Sequence, residues 1–357
     1  MAAMFIGLRK AGIELNVAGS LIDHVRDDFG QVGIEIFDLN LRKRLDRPAM
    51  RRLRAELIRG RYQIMHVFQN KSLTNGLLAA RGLPVHIVAY RGMVGNVSFF
   101  SPISWWRYLN PRISRIVCVA DAVRDYFLNM RPAFLRMPPE RPVTIYKGHD
   151  LAWYTEQPAD LTKLDIPQDA FVVGCVANYR PRKGIELLVD AMTELPEVLN
   201  VHLLLVGHGM DEPALTRRIA ASSARRRIHV AGFRADAPAL TAACDVFVLP
   251  SRKREGLARS LIEAMAYGVA PIVTDCGGSP ELVVDGECGI VIPVDDVAAI
   301  AAAIRQLHAG PELRARYGKA ARQRIRTRFS IDDTIRQTAD LYRELVRSAP
   351  SVELPVS

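Results

Sequence analysis

Cysteine is scarce and dispersed. The chain has five, Cys118, Cys175, Cys244, Cys276 and Cys288, in 357 residues. None forms a Cys-x-x-Cys pair, so neither a disulfide framework nor a zinc site is expected; buried reduced thiols in a cytosolic protein are. Long hydrophobic runs are also missing. No stretch approaches the roughly 18 uncharged apolar residues of a membrane span. Met1–Leu8 is apolar, but no basic segment precedes it, which makes it a poor signal peptide. Tandem repeats are absent, and so are helix-turn-helix, finger and RNA-binding signatures, which disfavours nucleic acid as a partner. Lysine is rare, with only 8 of the 48 basic residues; the rest are arginine.

What is present points to globular domains. A hydrophobic share of 49% is too high for a disordered chain. The length suits two domains, each with its own core. The net charge of +10 is unevenly spread. Residues 1–150 hold 23 basic and 12 acidic residues, and residues 151–357 hold 25 and 26. The whole excess lies in the first part, which suggests an anionic partner there or an arginine-rich solvated surface.

Strand and helix patterns alternate. Ile13–Val17, Val32–Phe37, Ile64–Val67, Val85–Ala89, Arg115–Val119 and Val143–Ile145 read as strands, with helices at Leu21–Phe29, Leu53–Gly60, Leu73–Ala80 and Ala122–Leu128. Gly148–Gln168, with two prolines and no periodicity, reads as a linker. The alternation restarts with strands at Phe171–Val176, Val201–Val206, Ile228–Val230, Val246–Leu249 and Ala270–Thr274. Helices are expected at 184–194, 212–223, 237–243, 257–267 and 296–307. A last helix covers 331–347, and 348–357 reads as a disordered tail. Met1–Lys10 reads as a helix with nothing to face. The fold class is therefore α/β: two Rossmann-like parallel-sheet domains, 1–150 and 151–330, with ligands expected beyond the carboxyl ends of the strands, in a cleft between the domains.

The sharpest constellation follows the strand Val246–Leu249. Glu255 lies in the loop and Glu263 two turns into the next helix. The amides of Gly256, Leu257 and Ala258 at that helix start form an anion site. Two carboxylates flanking an anion site suit a ligand with hydroxyls on both sides of a diphosphate, as in a nucleotide sugar. A second basic loop, Asn178-Tyr179-Arg180-Pro181-Arg182-Lys183-Gly184, lies between a strand and a helix and could neutralise a diphosphate. Val206-Gly207-His208-Gly209 is a strand ending in a glycine-rich turn. Ser98–Tyr108 gathers Trp105, Trp106 and other aromatics beside Arg107, which suits a lipid interface or a loop packed over the core. The arginine run Arg42–Arg54 is either a surface for anionic lipid or a solvated helix face.

Glu255 and Glu263 form an E-x7-E pair. With Asp245–Pro250, Gly268–Thr274, Gly277–Glu281, Val284–Gly286 and Gly289–Asp295 in this order, residues 171–345 resemble the retaining GT-B glycosyltransferases that include sucrose synthase and the bacterial phosphatidylinositol mannosyltransferases. The resemblance is weaker over 1–150. It implies a GT-B fold and transfer of a sugar from a nucleotide-sugar donor with retention. The acceptor would be a glycan or lipid-linked molecule bound by the N-terminal domain, with an anionic membrane surface as a further partner. No metal and no resident cofactor are implied, and the setting would be cytoplasmic or peripheral to the membrane.

By that resemblance Lys183 contacts the donor diphosphate, with Arg180 or Arg182 as the second charge. Glu255 holds the sugar hydroxyls and Glu263 the ribose, while Gly207, Phe233 and Arg234 surround the nucleotide. Arg91 stands where many members carry a histidine near the reacting sugar; with Glu255 and Lys183 it completes the expected catalytic set. His66 and Asn70 are placed on the acceptor side. Asn178 stands where the family usually has arginine. Family members also open with a strand and glycine-rich loop ahead of the helix that Met1–Lys10 continues, so both are expected to be missing here. The helix at 331–347 is expected to cross back to the N-terminal domain. Two other readings stay open: a GT-B nucleotide-sugar 2-epimerase, and a non-catalytic or truncated nucleotide-sugar-binding homologue.

Overall fold

The computed structural model describes residues 1–20, 23–130 and 135–348. The chain forms two compact units: Met1–Gly148 together with the segment from Ile331 onward, and His149–Ser330.

Unit 1 runs α1 (Ala2–Lys10), β1 (Val17–Ala18), α2 (Asp23–Gln31), β2 (Ile36–Phe37), α3 (Arg47–Arg59), β3 (Ile64–Val67) and α4 (Asn70–Ala79). It continues with β4 (His86–Arg91), α5 (Pro102–Trp106), β5 (Ile113–Cys118), α6 (Asp121–Leu128) and β6 (Pro142–Thr144). All pairings are parallel, in two separate sheets: β1 beside β2, and β3-β4-β5-β6. The strands expected at 13–17 and 32–37 are cut to two paired residues each, because β1 has a partner along one edge only. Helix α3 starts six residues earlier than its apolar pattern suggests. Asp46 caps it by accepting the Ala49 amide at 3.2 Å, and Pro48 sits in its first turn. Ala49, Leu53, Glu56 and Leu57 face inward, which leaves most of the arginines on the solvated side.

Unit 2 runs β7 (Phe171–Val176), α7 (Ile185–Thr193), β8 (Val201–Val206), α8 (Pro213–Ala221), β9 (Ile228–Gly232), α9 (Ala237–Ala242) and β10 (Val246–Leu249). Then come α10 (Arg259–Tyr267), β11 (Ala270–Thr274), α11 (Ser279–Leu282), β12 (Ile290–Ile292), α12 (Val297–Ala309) and α13 (Pro311–Arg328). Its one sheet is parallel, in the order β12-β11-β10-β7-β8-β9. Strands β7, β8, β10 and β11 are buried nearly throughout, as apolar runs covered by helices on both faces must be. Strand order reverses between β7 and β10, so the switch point, where open sheets bind ligands, lies between their carboxyl ends. The expected linker carries two short 3-10 turns, Leu151–Trp153 and Leu161–Leu164, each started by an aspartate (Asp150, Asp160). Helix α13 escaped sequence reading because six arginines mask it. Only Tyr317, Gly318, Ala321 and Ile325 face inward, and a Cβ on Gly318 would lie 1.9 Å from the Gly268 carbonyl oxygen.

Helix α14 (Ile331–Arg347) belongs to unit 1. Leu341 and Leu345 cover Val88, Val117 and Ile145 of that sheet. Ala339 packs with Met4 and Leu8 of α1, and Ile335 and Tyr342 flank them. The opening helix therefore has a partner, which a periodicity reading of ten residues could not supply. The tail expected to be disordered lies outside the described residues from 349 onward.

Candidate functional site

The loops that leave β7, β10 and β11 meet at the unit 2 switch point. Gly184, at φ +66°, ends the basic loop after β7; a Cβ there would sit 2.2 Å from the Pro250 carbonyl oxygen. The Arg252 amide donates to the Arg182 carbonyl at 2.8 Å. Gly277, at φ +57°, presses the loop after β11 against Glu255; a Cβ would lie 2.1 Å from the Glu255 carbonyl oxygen. Only glycine permits these two approaches.

This packing brings Lys183 and Glu255 together. The Lys183 ammonium donates to Glu255 Oε2 at 2.7 Å, with the two side chains 12% and 8% exposed. Ser251 Oγ donates to the same oxygen at 2.7 Å, and Arg182 stands 3.9 Å from it. Every contact falls on Oε2, which leaves Oε1 free to accept a hydroxyl. Ser251 is fully buried, and its carbonyl accepts from Thr274 Oγ1 at 2.5 Å. Sequence reading missed both Ser251 and Thr274; their only signal was a small hydroxyl residue at each strand end. The neighbouring loop positions hold Arg180, Arg252, Lys253 and Arg254, and Arg252 is paired with Asp295.

Helix α10 starts at Arg259 with Ala258 as its N-cap, two residues later than expected. The amides of Gly256, Leu257 and Ala258 lie in the turn just before it, and none has an acceptor among the described residues. Glu263 is 8% exposed and accepts from Arg259 Nε at 2.7 Å. It faces inward on α10, as its apolar neighbours suggested.

The loop after β8 joins the same edge. Gly207, at φ +147°, passes so close to Ala177 that a Cβ would lie 2.0 Å from its carbonyl oxygen. The Asn178 side chain accepts the His208 amide at 3.3 Å. The residue that departs from the family pattern thus ties two site loops together and supplies no charge. Phe233 is 63% exposed and stacks on His208 at 4.1 Å, forming a flat surface at the ends of β8 and β9. Arg234 is held by Asp236 through two contacts, at 2.8 and 2.7 Å, and is not free in this state.

The expected unit 1 residues are not assembled in this way. Arg91 is 5% exposed at the end of β4. It donates to the Met93 carbonyl at 3.0 Å and to the Gly95 carbonyl, over the Tyr108 ring. It organises its own loop. His66 Nδ1 lies 2.7 Å from the Tyr342 hydroxyl, and the ring stacks on Phe68. Burial pushes its pKa down to about 3. Asn70 Oδ1 accepts from Tyr108 at 2.8 Å. His66, expected on the acceptor side, and Arg91, expected near the reacting sugar, thus both make their side-chain hydrogen bonds to inward partners. All five cysteines are buried and unpaired. Among the described residues there is no cluster of three or more His, Cys, Asp or Glu that could hold a metal ion, and no helix long and apolar enough to cross a membrane.

Residues 156–324 match the family model for glycosyl transferases group 1, and residues 3–153 match that for glycosyltransferase family 4. The lipopolysaccharide core biosynthesis glycosyltransferase LpsE of Rhizobium meliloti is 31% identical over 191 residues, 54% of each chain. The phosphatidyl-myo-inositol mannosyltransferase of Mycolicibacterium smegmatis is 26% identical over 331 residues, 89% of this chain and 82% of that one. The match to LpsE thus spans about half of that relative's length. The Anabaena Alr3699/HepE structure in complex with UDP-glucose superposes with a TM-score of 0.77 at 23% identity, covering 96% of both chains. This likeness shows the GT-B fold.

Proposed function

The chain belongs to the group 1 glycosyltransferases, and we propose that it transfers a sugar from a nucleotide-sugar donor to an acceptor with retention of the anomeric configuration. The observation that carries this reading is the buried Lys183–Glu255 pair, 2.7 Å apart, beside the open amides of 256–258. A donor diphosphate arriving there meets the Lys183 ammonium, the Arg182 guanidinium and the turn before α10, all in place before charge develops on the leaving group. As the sugar–oxygen bond breaks, these groups stabilise the departing diphosphate. Glu255 Oε1 accepts a sugar hydroxyl and Glu263 a ribose hydroxyl, while the His208–Phe233 surface stacks the base. Unit 1 is read as the acceptor-binding unit, with a glycan or lipid-linked acceptor of the cell envelope. LpsE is named for lipopolysaccharide core and the Mycolicibacterium relative for phosphatidyl-myo-inositol, which makes both acceptor types worth testing.

The test incubates the chain with UDP-, GDP-, ADP- and dTDP-sugars carrying a labelled sugar, plus pooled envelope lipid and glycan extract. Released nucleoside diphosphate and labelled product are both measured. Label moving to the acceptor with stoichiometric nucleoside diphosphate is expected, falling about a hundredfold or more in Glu255→Ala and Lys183→Ala. Full activity in both variants overturns the site. Donor binding with neither transfer nor hydrolysis favours the non-catalytic reading, and an isomerised donor favours the epimerase.

A further inference from the structure

Ser251 is fully buried and stands where the three site loops meet. Its neighbours on both sides are fixed. The Pro250 carbonyl oxygen lies against Gly184, and the Arg252 amide donates to the Arg182 carbonyl at 2.8 Å. The Ser251 carbonyl accepts from Thr274 Oγ1 at 2.5 Å, which ties it to the end of β11. A hydroxyl has one proton to give. Ser251 gives it to Glu255 Oε2, at 2.7 Å, and the same oxygen accepts from Lys183 at 2.7 Å. The two donors differ in kind. The ammonium has three protons on a flexible four-carbon stem. The Ser251 hydroxyl has a one-carbon arm on a backbone bonded on both sides. A carboxylate held by Lys183 alone can turn about its last torsion, which is a broad well, and the ammonium can follow it. Two bonds to one oxygen hold the carboxylate plane and leave Oε1 as the oxygen presented to a ligand.

We propose that Ser251 is a positioning residue that sets which donor sugar the chain selects. This rests on the proposed transfer. A donor diphosphate and Glu255 compete for the one Lys183 ammonium. Arg182, 3.9 Å from Oε2, makes no hydrogen bond to it. As Lys183 turns toward phosphate, the Ser251 bond is therefore the one that keeps Oε1 aimed at the sugar. A fixed acceptor oxygen pairs with a hydroxyl on one side of the sugar ring. In the epimer that hydroxyl points elsewhere, and a buried carboxylate oxygen loses its partner. An acceptor free to turn follows either epimer. Ser251 thus acts on discrimination between sugars that differ in the configuration of one hydroxyl, and Thr274 acts through Ser251. The nucleotide part is met by other groups: Lys183, Arg182 and the amides of 256–258 at the diphosphate, and the His208–Phe233 surface at the base.

The test compares the parent chain with Ser251→Ala and Thr274→Val. Calorimetry measures binding of free nucleoside diphosphates and of nucleotide sugars in epimeric sets, the gluco, galacto and manno forms on one base. Transfer is followed as kcat/KM for each donor. The parent is expected to favour one epimer. In Ser251→Ala the ratio between epimers should fall about tenfold or more, through loss of the favoured donor, while affinity for the free nucleoside diphosphate stays within about twofold. Thr274→Val should show the same change at smaller size. An unchanged ratio in Ser251→Ala overturns the proposal, as does a parent that favours no epimer. A parallel loss of nucleoside diphosphate and nucleotide-sugar affinity also overturns it, because the lesion would then lie in the loops and not in the aim of Glu255. Nucleotide-sugar binding without transfer in the parent overturns the proposed transfer instead, and the epimer ratio in binding still decides the role of Ser251.

Discussion

Replacing Lys183 by methionine removes the ammonium and keeps most of the bulk of the stem. What remains is a Glu255 carboxylate, 6% exposed, with one neutral donor, Ser251, and a guanidinium 3.9 Å away. Breaking a buried ion pair on one side costs about 3–5 kcal/mol. Arg182 needs to move by about one ångström to make contact, so a cost of about 2–3 kcal/mol is expected here. Unit 2 spans about 180 residues, for which each kcal/mol corresponds to about 2–4 °C. The Lys183→Met chain should therefore lose about 4–12 °C in a calorimetric scan. Adding Glu255→Gln removes the stranded charge and should restore most of that loss, while transfer stays abolished. Separating stability from activity in this way distinguishes a working pair from a structural one. A Lys183→Met chain that unfolds within about 1 °C of the parent, or a double variant less stable than the single, would refute the argument.

Gly277→Ala forces a Cβ to within 2.1 Å of the Glu255 carbonyl oxygen at φ +57°. It should cost about 2 kcal/mol or more and reduce donor affinity with it, read by thermal shift with and without nucleoside diphosphate. The five cysteines are buried, and burial pushes the thiols of Cys118, Cys175 and Cys244 up to about 12. None should react with a thiol reagent at pH 8 until the chain unfolds, and one fast-reacting thiol in the native protein would contradict this. His66 is buried against Phe68 and Tyr342 with its pKa near 3, while the unfolded ring titrates near 6.5. Between those values the unfolded chain binds the extra proton, so stability rises with pH and falls as pH drops, by about 2 kcal/mol at pH 5. A His66→Phe chain should show a shallower decline in denaturation midpoint between pH 7 and pH 5, and an unchanged slope would count against this.

The sequence was most legible where chemistry and backbone coincide. Strands β7, β8, β10 and β11 were readable to the residue because fully buried parallel strands are uniform apolar runs. Glu263 was readable as inward-facing because it interrupts the apolar stretch Leu261–Ala266. Lys183 and Glu255 were singled out separately, yet nothing in the one-dimensional pattern shows that they touch. Their contact, between residues 72 apart in the chain, depends on Gly184, Gly277 and the Arg252–Arg182 bond, which bring three loops together. Arg91 and His66 show the opposite limit. The family resemblance put Arg91 near the reacting sugar and a strand end put His66 on the acceptor side, and in the structure their hydrogen bonds go to the loop of Arg91 itself and, 276 residues along the chain, to Tyr342 of α14. Helix α13 was invisible because its buried stripe is only one or two residues per turn among arginines.

The arginine excess of the first 150 residues takes on a different meaning once its partners are known. Arg54 donates to the Ala79 and Arg81 carbonyls at 2.9 and 2.6 Å, and Arg112 to those of Leu83 and Val85 at 3.0 and 3.3 Å. These carbonyls end α4 or follow it, where backbone acceptors have no intrahelical donor. A guanidinium offers five donors and can satisfy several at once, whereas an ammonium cannot span them. Arg52 and Arg91 act in the same way, on Asp38 and on Met93. Much of the charge that looked like a surface for an anionic partner is thus spent on the fold. Among the described residues, those left exposed and without an ion-pair partner include one dense stretch, Arg42, Lys43, Arg44, Arg47 and Arg51. If unit 1 does meet an anionic lipid surface, these five residues carry the contact. Alanine at Arg42, Lys43 and Arg44 should then lower binding to phosphatidylglycerol-containing vesicles at 0.1 M salt by roughly 100-fold, at about 1 kcal/mol per cation, and leave the unfolding midpoint unchanged. Alanine at Arg54 and Arg112 should do the reverse. Equal vesicle binding in both sets would remove lipid recognition from this face.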